Sequence, residues 1–218
     1  AAANTSQVSG DNFITTTFTN PSNSLAVTLG TNGPTATFTD LDANFNPTNG
    51  VTINGGIGDD TLVVTSFGNN FNQELDAQLG GGGADSITFD TNSQDFVSVD
   101  LRAETISVNV ASITTTGDQD YTGDLDIGAS TELDGATIDV TGNIDGAFNL
   151  TLDSTATGVS GTIGGTVVDL TVQTGGLVAG SIDITGNLDG DQSVETDTGA
   201  INVDGNVDAE STLTAETS

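Results

Sequence analysis

The chain has no cysteine, histidine, methionine or tryptophan, and Arg102 is its only basic residue against 31 acidic ones. Without cysteine there are no disulfides, no thiolate chemistry and no cysteine-based zinc site. Without histidine or lysine, a serine nucleophile lacks its usual base. A formal net charge of −30 repels phosphate backbones and anionic lipid, so nucleic acid is excluded as a partner. No apolar run approaches the ~18 residues that would mark a membrane-spanning helix, so no membrane insertion is expected. Proline occurs only three times, and the sparse aromatics are mostly phenylalanine.

Glycine is abundant, with 29 residues in a chain of 218. Low aromatic content and high charge are also features of disordered chains, but valine, isoleucine, leucine and phenylalanine recur here between Gly, Asn and Asp at regular intervals. That pattern predicts short strands separated by turns. The negative charge is mostly aspartate in Gly/Asn/Thr-rich stretches, the usual setting of calcium ligands. The opening Ala1, Ala2, Ala3, Asn4, Thr5 resembles the mature end left by leader removal, which points to an extracellular or cell-surface location.

A 19-residue repeat dominates the sequence. Ile87, Ile106, Leu125, Ile144, Ile163, Ile182 and Ile201 are evenly spaced, and Gly123, Gly142, Gly161, Gly180 and Gly199 precede the last five by two positions. Within it runs a shorter step of six or seven, as in Ile182, Leu188, Val194, Ile201, Val207 and Leu213. Two steps of six and one of seven make one coil with three short sides, each sending an aliphatic side chain inward. Single coils cannot bury these residues; stacked coils place like over like and share a narrow core. The prediction is an all-β fold, a three-sided β-solenoid (β-helix) with a 19-residue coil. Asn187 and Asn206 suit stacked turns, where amides form ladders.

Residues 1–50 lack this period. Strands are expected near 12–20, 25–29 and 35–39, separated by turn-rich segments, so 1–50 reads as a non-repeating, β-rich cap or assembly segment and 51–218 as the solenoid. The solenoid divides into glycine-rich coils over 51–90 and regular coils over 85–217.

Two segments carry the pattern Gly-Gly-x-Gly-x-Asp-x-apolar: Gly55-Gly-Ile-Gly-Asp-Asp-Thr-Leu62 and Gly80-Gly-Gly-Gly-Ala-Asp-Ser-Ile87. Here the chain resembles RTX-type calcium-binding β-roll proteins. The resemblance implies Ca²⁺ held by the carboxylates of Asp60 and Asp85 with backbone oxygens of Gly56, Gly58, Gly81 and Gly83. Its departure is spacing: these motifs lie 25 residues apart instead of about 18, which predicts an excursion at 66–74. The plainer reading is that the glycines permit tight turns which the aspartates cap. From Val51 onward, the stretch Ile113 to Leu133 especially, the chain resembles secreted filamentous-haemagglutinin-like and autotransporter adhesins, which implies a surface role.

Catalysis is not expected. The pairs Asp118/Asp120 and Asp124/Asp126 could be nominated for acid–base work on a sugar, but they have the alternation of a solvated strand face. Proton abstraction from an acidic sugar would also want a basic residue, and Arg102 alone is a poor candidate. Ordered ice binding needs two threonine columns two residues apart, and none persists in the 19-residue register. The expected function is a structural subunit of an extracellular filament or surface layer, assembling head to tail through solenoid ends as a homo-polymer, with a possible cell-surface or matrix ligand. The alternatives are a fragment of a large adhesin and the non-catalytic calcium-binding module of a secreted enzyme.

Overall fold

The structure is a computed structural model; it describes residues 5–10, 13–39, 41–42, 44–68, 71–80, 82–164, 167–184, 188–190, 194–196, 201–203, 207–209 and 213–215. Among these there is no helix. Parallel strands stack coil upon coil into a three-sided β-solenoid, and an antiparallel hairpin precedes it.

Side 1 starts with Leu25–Thr28, Val51–Asn54 and Leu75–Gln78 and continues through 99–102, 119–122 and 138–141. Side 2 starts with Thr35–Phe38, Thr61–Val64 and Ser86–Asp90 and continues through 105–109. Among the described residues, side 3 first becomes a strand at Gln94–Phe96, which pairs with Ser112–Thr115, and that strand pairs in turn with 132–134. In a parallel ladder with every coil in register, a residue sits over its equivalent at about 4.8 Å.

The predicted column is one such ladder. Ile87, Ile106, Leu125, Ile144, Ile163, Ile182 and Ile201 each pair with the next on side 2. Ile144 and Ile163 are fully buried and Ile201 is half-buried against the core; the side chain of Ile182 lies outside the described residues, as do Asn187 and Asn206. Strand burial alternates, as in the pattern of Val99–Asn109, because successive side chains point in and out.

The stack starts earlier than the predicted boundary at residue 51, since Leu25 pairs with Val51 and Thr35 with Thr61. The first coil is longer than the later ones, so a search for a 19-residue period passes over it. Its turn carries an amide pair of the stacked kind, Asn49 Nδ2 donating to Asn23 Oδ1 at 2.8 Å. What does not repeat is the hairpin of Thr5–Gly10 and Phe13–Thr19. Its first strand also lies antiparallel to Thr35–Phe38, with Ser9 opposite Thr37. It therefore lies along the ladder edge of side 2, and Phe13–Thr19, which pairs with Thr5–Gly10 alone among the described residues, becomes the outer strand there.

The few polar groups inside the later coils are matched. Tyr121 donates its hydroxyl to Gln119 Oε1 at 2.8 Å, and Gln119 Nε2 donates to the carbonyls of Asp134 at 2.7 Å and Ile113 at 3.1 Å. Burial pushes the Tyr121 phenol far above its ordinary range, with a smaller push from Asp120, so the phenol keeps its proton throughout the physiological range.

Candidate cation site at the glycine-rich turns

The chain turns from side 1 to side 2 between Asn54 and Thr61, and again between Gln78 and Ser86. In the following coil the same corner, from Arg102 to Thr105, needs only Ala103 and Glu104. Arg102 lies over Gln78 and Thr105 over Ser86, so the whole segment 79–85 is replaced by that pair. The extra length of the early coils thus resides in the glycine turns. The excursion expected at 66–74 is not its source, because the path from Val64 to Leu75 is as long as the equivalent path from Val108 to Gln119.

Glycine is required here by close approach. Gly58 and Gly83 have φ of 125° and 128°, a region that side chains rarely enter. A Cβ on Gly83 would run into the carbonyl of Gly58, and one on Gly56 into that of Gly30. The amide of Gly58 donates to Gly82 O at 2.9 Å, tying one turn to the next. Gly81 lies outside the described residues.

The turns bring Asp60 and Asp85 together in one column. Both are buried, at 0% and 1% exposure. Asp60 N donates to Asp85 Oδ1 at 2.8 Å, Asp85 N donates to Glu104 Oε2 at 2.7 Å, and Gly56 N donates to Asp60 Oδ2 at 2.5 Å. Asp59 Oδ1, on the outside, accepts from Ala84 N at 2.9 Å. Each carboxylate therefore caps backbone amides that the tight turn leaves over. Glu104 is a partner that the motif does not include; it lies one 19-residue period after Asp85, which is the signal that could have found it.

One atom is not accounted for. Among the described residues, Asp60 Oδ1 is the only buried side-chain oxygen or nitrogen without a hydrogen-bond partner. Burial raises the Asp60 carboxyl above its ordinary value, the Gly56 amide opposes this, and the charges of Asp85 and Asp59 raise it further. A buried carboxylate oxygen beside a second buried carboxylate is stabilised by a proton or a cation. For calcium, which takes 6–8 oxygens, the fit is partial. Asp60 Oδ1 is free, Asp85 Oδ1 is occupied by an amide, and the Gly58 carbonyl accepts from Asp60 N at 3.1 Å. No group of three or more acidic side chains arranged to hold a metal occurs among the described residues.

The carboxylates considered for catalysis lie elsewhere. Asp118, Asp120, Asp124 and Asp126 are all exposed. Asp120 belongs to a side 1 column, Asp76, Asp100, Asp120 and Asp139, paired in register over four coils. Loss of solvent on the packed sheet raises its pKa, and repulsion from Asp100, Asp139 and Asp118 adds to this. Gln78 Nε2 relieves the first pair of the column by donating to Asp76 and Asp100, each at 2.9 Å.

Side 2 carries two columns of mostly hydroxyl residues, Thr35, Thr61, Ser86, Thr105 and Thr37, Val63, Thr88, Ser107. A 19-residue register does not show them, because the early coils are longer. They end where Asp124 and Asp126 take the two positions.

No protein-family model, curated protein or solved structure matches this chain.

Proposed function

We propose that this chain is a non-catalytic structural rod of the cell exterior, a unit of a filament or surface layer that grows by joining solenoid ends. The observation that supports this is the unbroken side 2 column from Ala36 to Ile201, whose two ends differ. The hairpin lies along the first coil on side 2. In the last coil described, 201–203, 207–209 and 213–215 each pair with the preceding coil alone, among the described residues. Such strand edges accept further strands through backbone hydrogen bonds. A second copy arriving with its hairpin end offers the outer strand Phe13–Thr19 to these edges, and a head-to-tail contact of this kind is open-ended. The acidic columns on the flanks disfavour lateral clumping.

Calcium enters this reading as a stabiliser at Asp60 and Asp85. A site with one uncommitted carboxylate oxygen is weak, and extracellular modules with weak sites fill at about 10⁻⁴ to 10⁻³ M Ca²⁺. Catalysis has no support in the side chains present, which include no histidine, lysine or cysteine.

The test is electron microscopy and sedimentation of the whole chain, compared with the chain lacking residues 1–20, in Ca²⁺, in chelator and in matched monovalent salt. Axial filaments that are lost with the hairpin, while the coils stay folded, are the expected outcome. A protein that remains monomeric at high concentration in every condition overturns the proposal.

A further inference from the structure

Among the described residues, side 3 of the early coils carries no strand before Gln94–Phe96, which has a strand neighbour on one side only, Ser112–Thr115. Where a strand follows a loop the backbones cannot pair along their whole length. A cleft of about 500 Å³ lies at that junction, between Thr65, Ser66, Gly68 and Phe71 on one side and the turn 92–95 on the other. A second of about 610 Å³ adjoins it, with Phe71 and Asp95 lining both. Volumes of this size suit small-molecule ligands.

The floor of the first cleft is held by hydrogen bonds and ring contacts. Gln94 is buried; its Nε2 donates to Asn92 O at 2.8 Å, and its Oε1 accepts from Phe67 N at 3.4 Å. Beneath it Phe71 stacks on Phe67 with ring centroids 4.7 Å apart and meets Phe96 edge-on at 5.9 Å. The turn is held to the loop by Asn92 Nδ2, which donates to Thr65 O at 3.3 Å. The walls are hydroxyls and amides, and Asp95 is the one charged residue in the lining. Asp95 and Ser93 are exposed, and among the described residues neither side chain makes a hydrogen bond within the protein.

We infer that this cleft is a binding site for an uncharged oligosaccharide. The polar lining does not suit an apolar ligand. Anions are repelled by a chain of net charge −30, and the only basic residue, Arg102, is not in the lining. A polyhydroxylated ligand meets the uncommitted Ser93 hydroxyl and Asp95 carboxylate beside the Phe71 ring, and a floor already fixed by its own hydrogen bonds reduces the ordering cost of binding. Asp95 accepts from vicinal hydroxyls as a carboxylate does, and charge-assisted bonds are the stronger ones. The site does not depend on end-to-end assembly.

The experiment presents the whole protein with a panel of uncharged hexasaccharides (gluco-, xylo- and manno-configured) and sulfated counterparts, using saturation-transfer NMR and calorimetry. Saturable binding of at least one uncharged member is expected. Asp95→Ala and the cleft-filling Ser93→Tyr should weaken it by roughly tenfold or more, with Asp139→Ala, on side 1, leaving it unchanged. Thermal melts confirm that each variant is folded. The inference is overturned if no uncharged member binds at about 10 mM, if the sulfated sugars bind better, or if Asp139→Ala weakens binding as much as Asp95→Ala.

Discussion

On side 1 the early coils are long, stepping from Leu25 to Val51, Leu75 and Val99, whereas the later ones step more closely through Gln119, Ile138, Thr157 and Leu177. The two regions are filled differently. The early coils bury Phe38, Phe45, Phe67, Phe71, Phe89 and Phe96 in one aromatic cluster, with neighbouring ring centroids 4.7 to 6.4 Å apart. The later coils bury aliphatic columns with Tyr121 as the sole aromatic among the described core residues. Charge divides less sharply: ten of the 31 acids precede Val99, and the column that begins at Asp76 runs on into the short coils. A short, regular coil places equivalents directly over one another, so outward aspartates gather into columns and inward aliphatics into a seam. Longer coils with an irregular third side depend instead on a few large side chains that fill uneven space.

Ile144→Asp should have the largest effect. It puts an unpaired charge into a narrow dry core, and a loss above about 4 kcal/mol is expected. Because stacked repeats interact mainly with their neighbours, hydrogen exchange should accelerate in the later coils while the aromatic coils stay protected. Simultaneous loss in both regions would make the two one cooperative unit.

Phe67→Ala comes next. Phe67 touches Phe38, Phe45, Phe71 and Phe96, and truncating a buried phenylalanine costs about 3–5 kcal/mol. Urea unfolding should show this cost to be at least that of Leu125→Ala in the aliphatic seam. A cost below about 1 kcal/mol would mean that the cluster does not hold the early coils together.

The smallest effect is expected from Asp60→Asn, at the junction of the regions. The native Asp60 carboxyl lies above its ordinary value, so the folded state takes up the proton before the unfolded chain does. Its destabilising contribution is complete above the folded pKa and is relieved as pH falls through that pKa toward the unfolded one. In chelator, wild type should therefore gain melting temperature on acidification, and Asp60→Asn should gain less. At pH 7 the variant should melt a few degrees higher, a gap that Ca²⁺ closes by binding wild type alone. Matched monovalent salt separates this from general screening. Superimposable melting profiles in chelator at every pH would remove Asp60 as the strained group.

The regular coils are legible because their side 2 aliphatics keep one spacing, and the seven from Ile87 to Ile201 form one ladder of six successive pairs. Thr35–Phe38 belongs to the same ladder, yet periodicity assigns it to a separate segment, since a glycine turn of variable length destroys the period without disturbing the stack. For the candidate site, the motif identifies Asp60 and Asp85 but not the direction of their side chains. Spacing says nothing about whether a carboxylate turns outward to a ligand or inward to an amide.

The sequence by itself determined the side count, the 19-residue coil, the inward aliphatics and the acidity of the flanks, because each is a local alternation repeated in phase. Only the tertiary structure decided where the stack begins, that the hairpin lies along its first edge, that six phenylalanines meet in one cluster, and that Asp60 Oδ1 is left without a partner. These depend on which turn lies over which, and stacking aligns backbone hydrogen bonds across turns of unequal length.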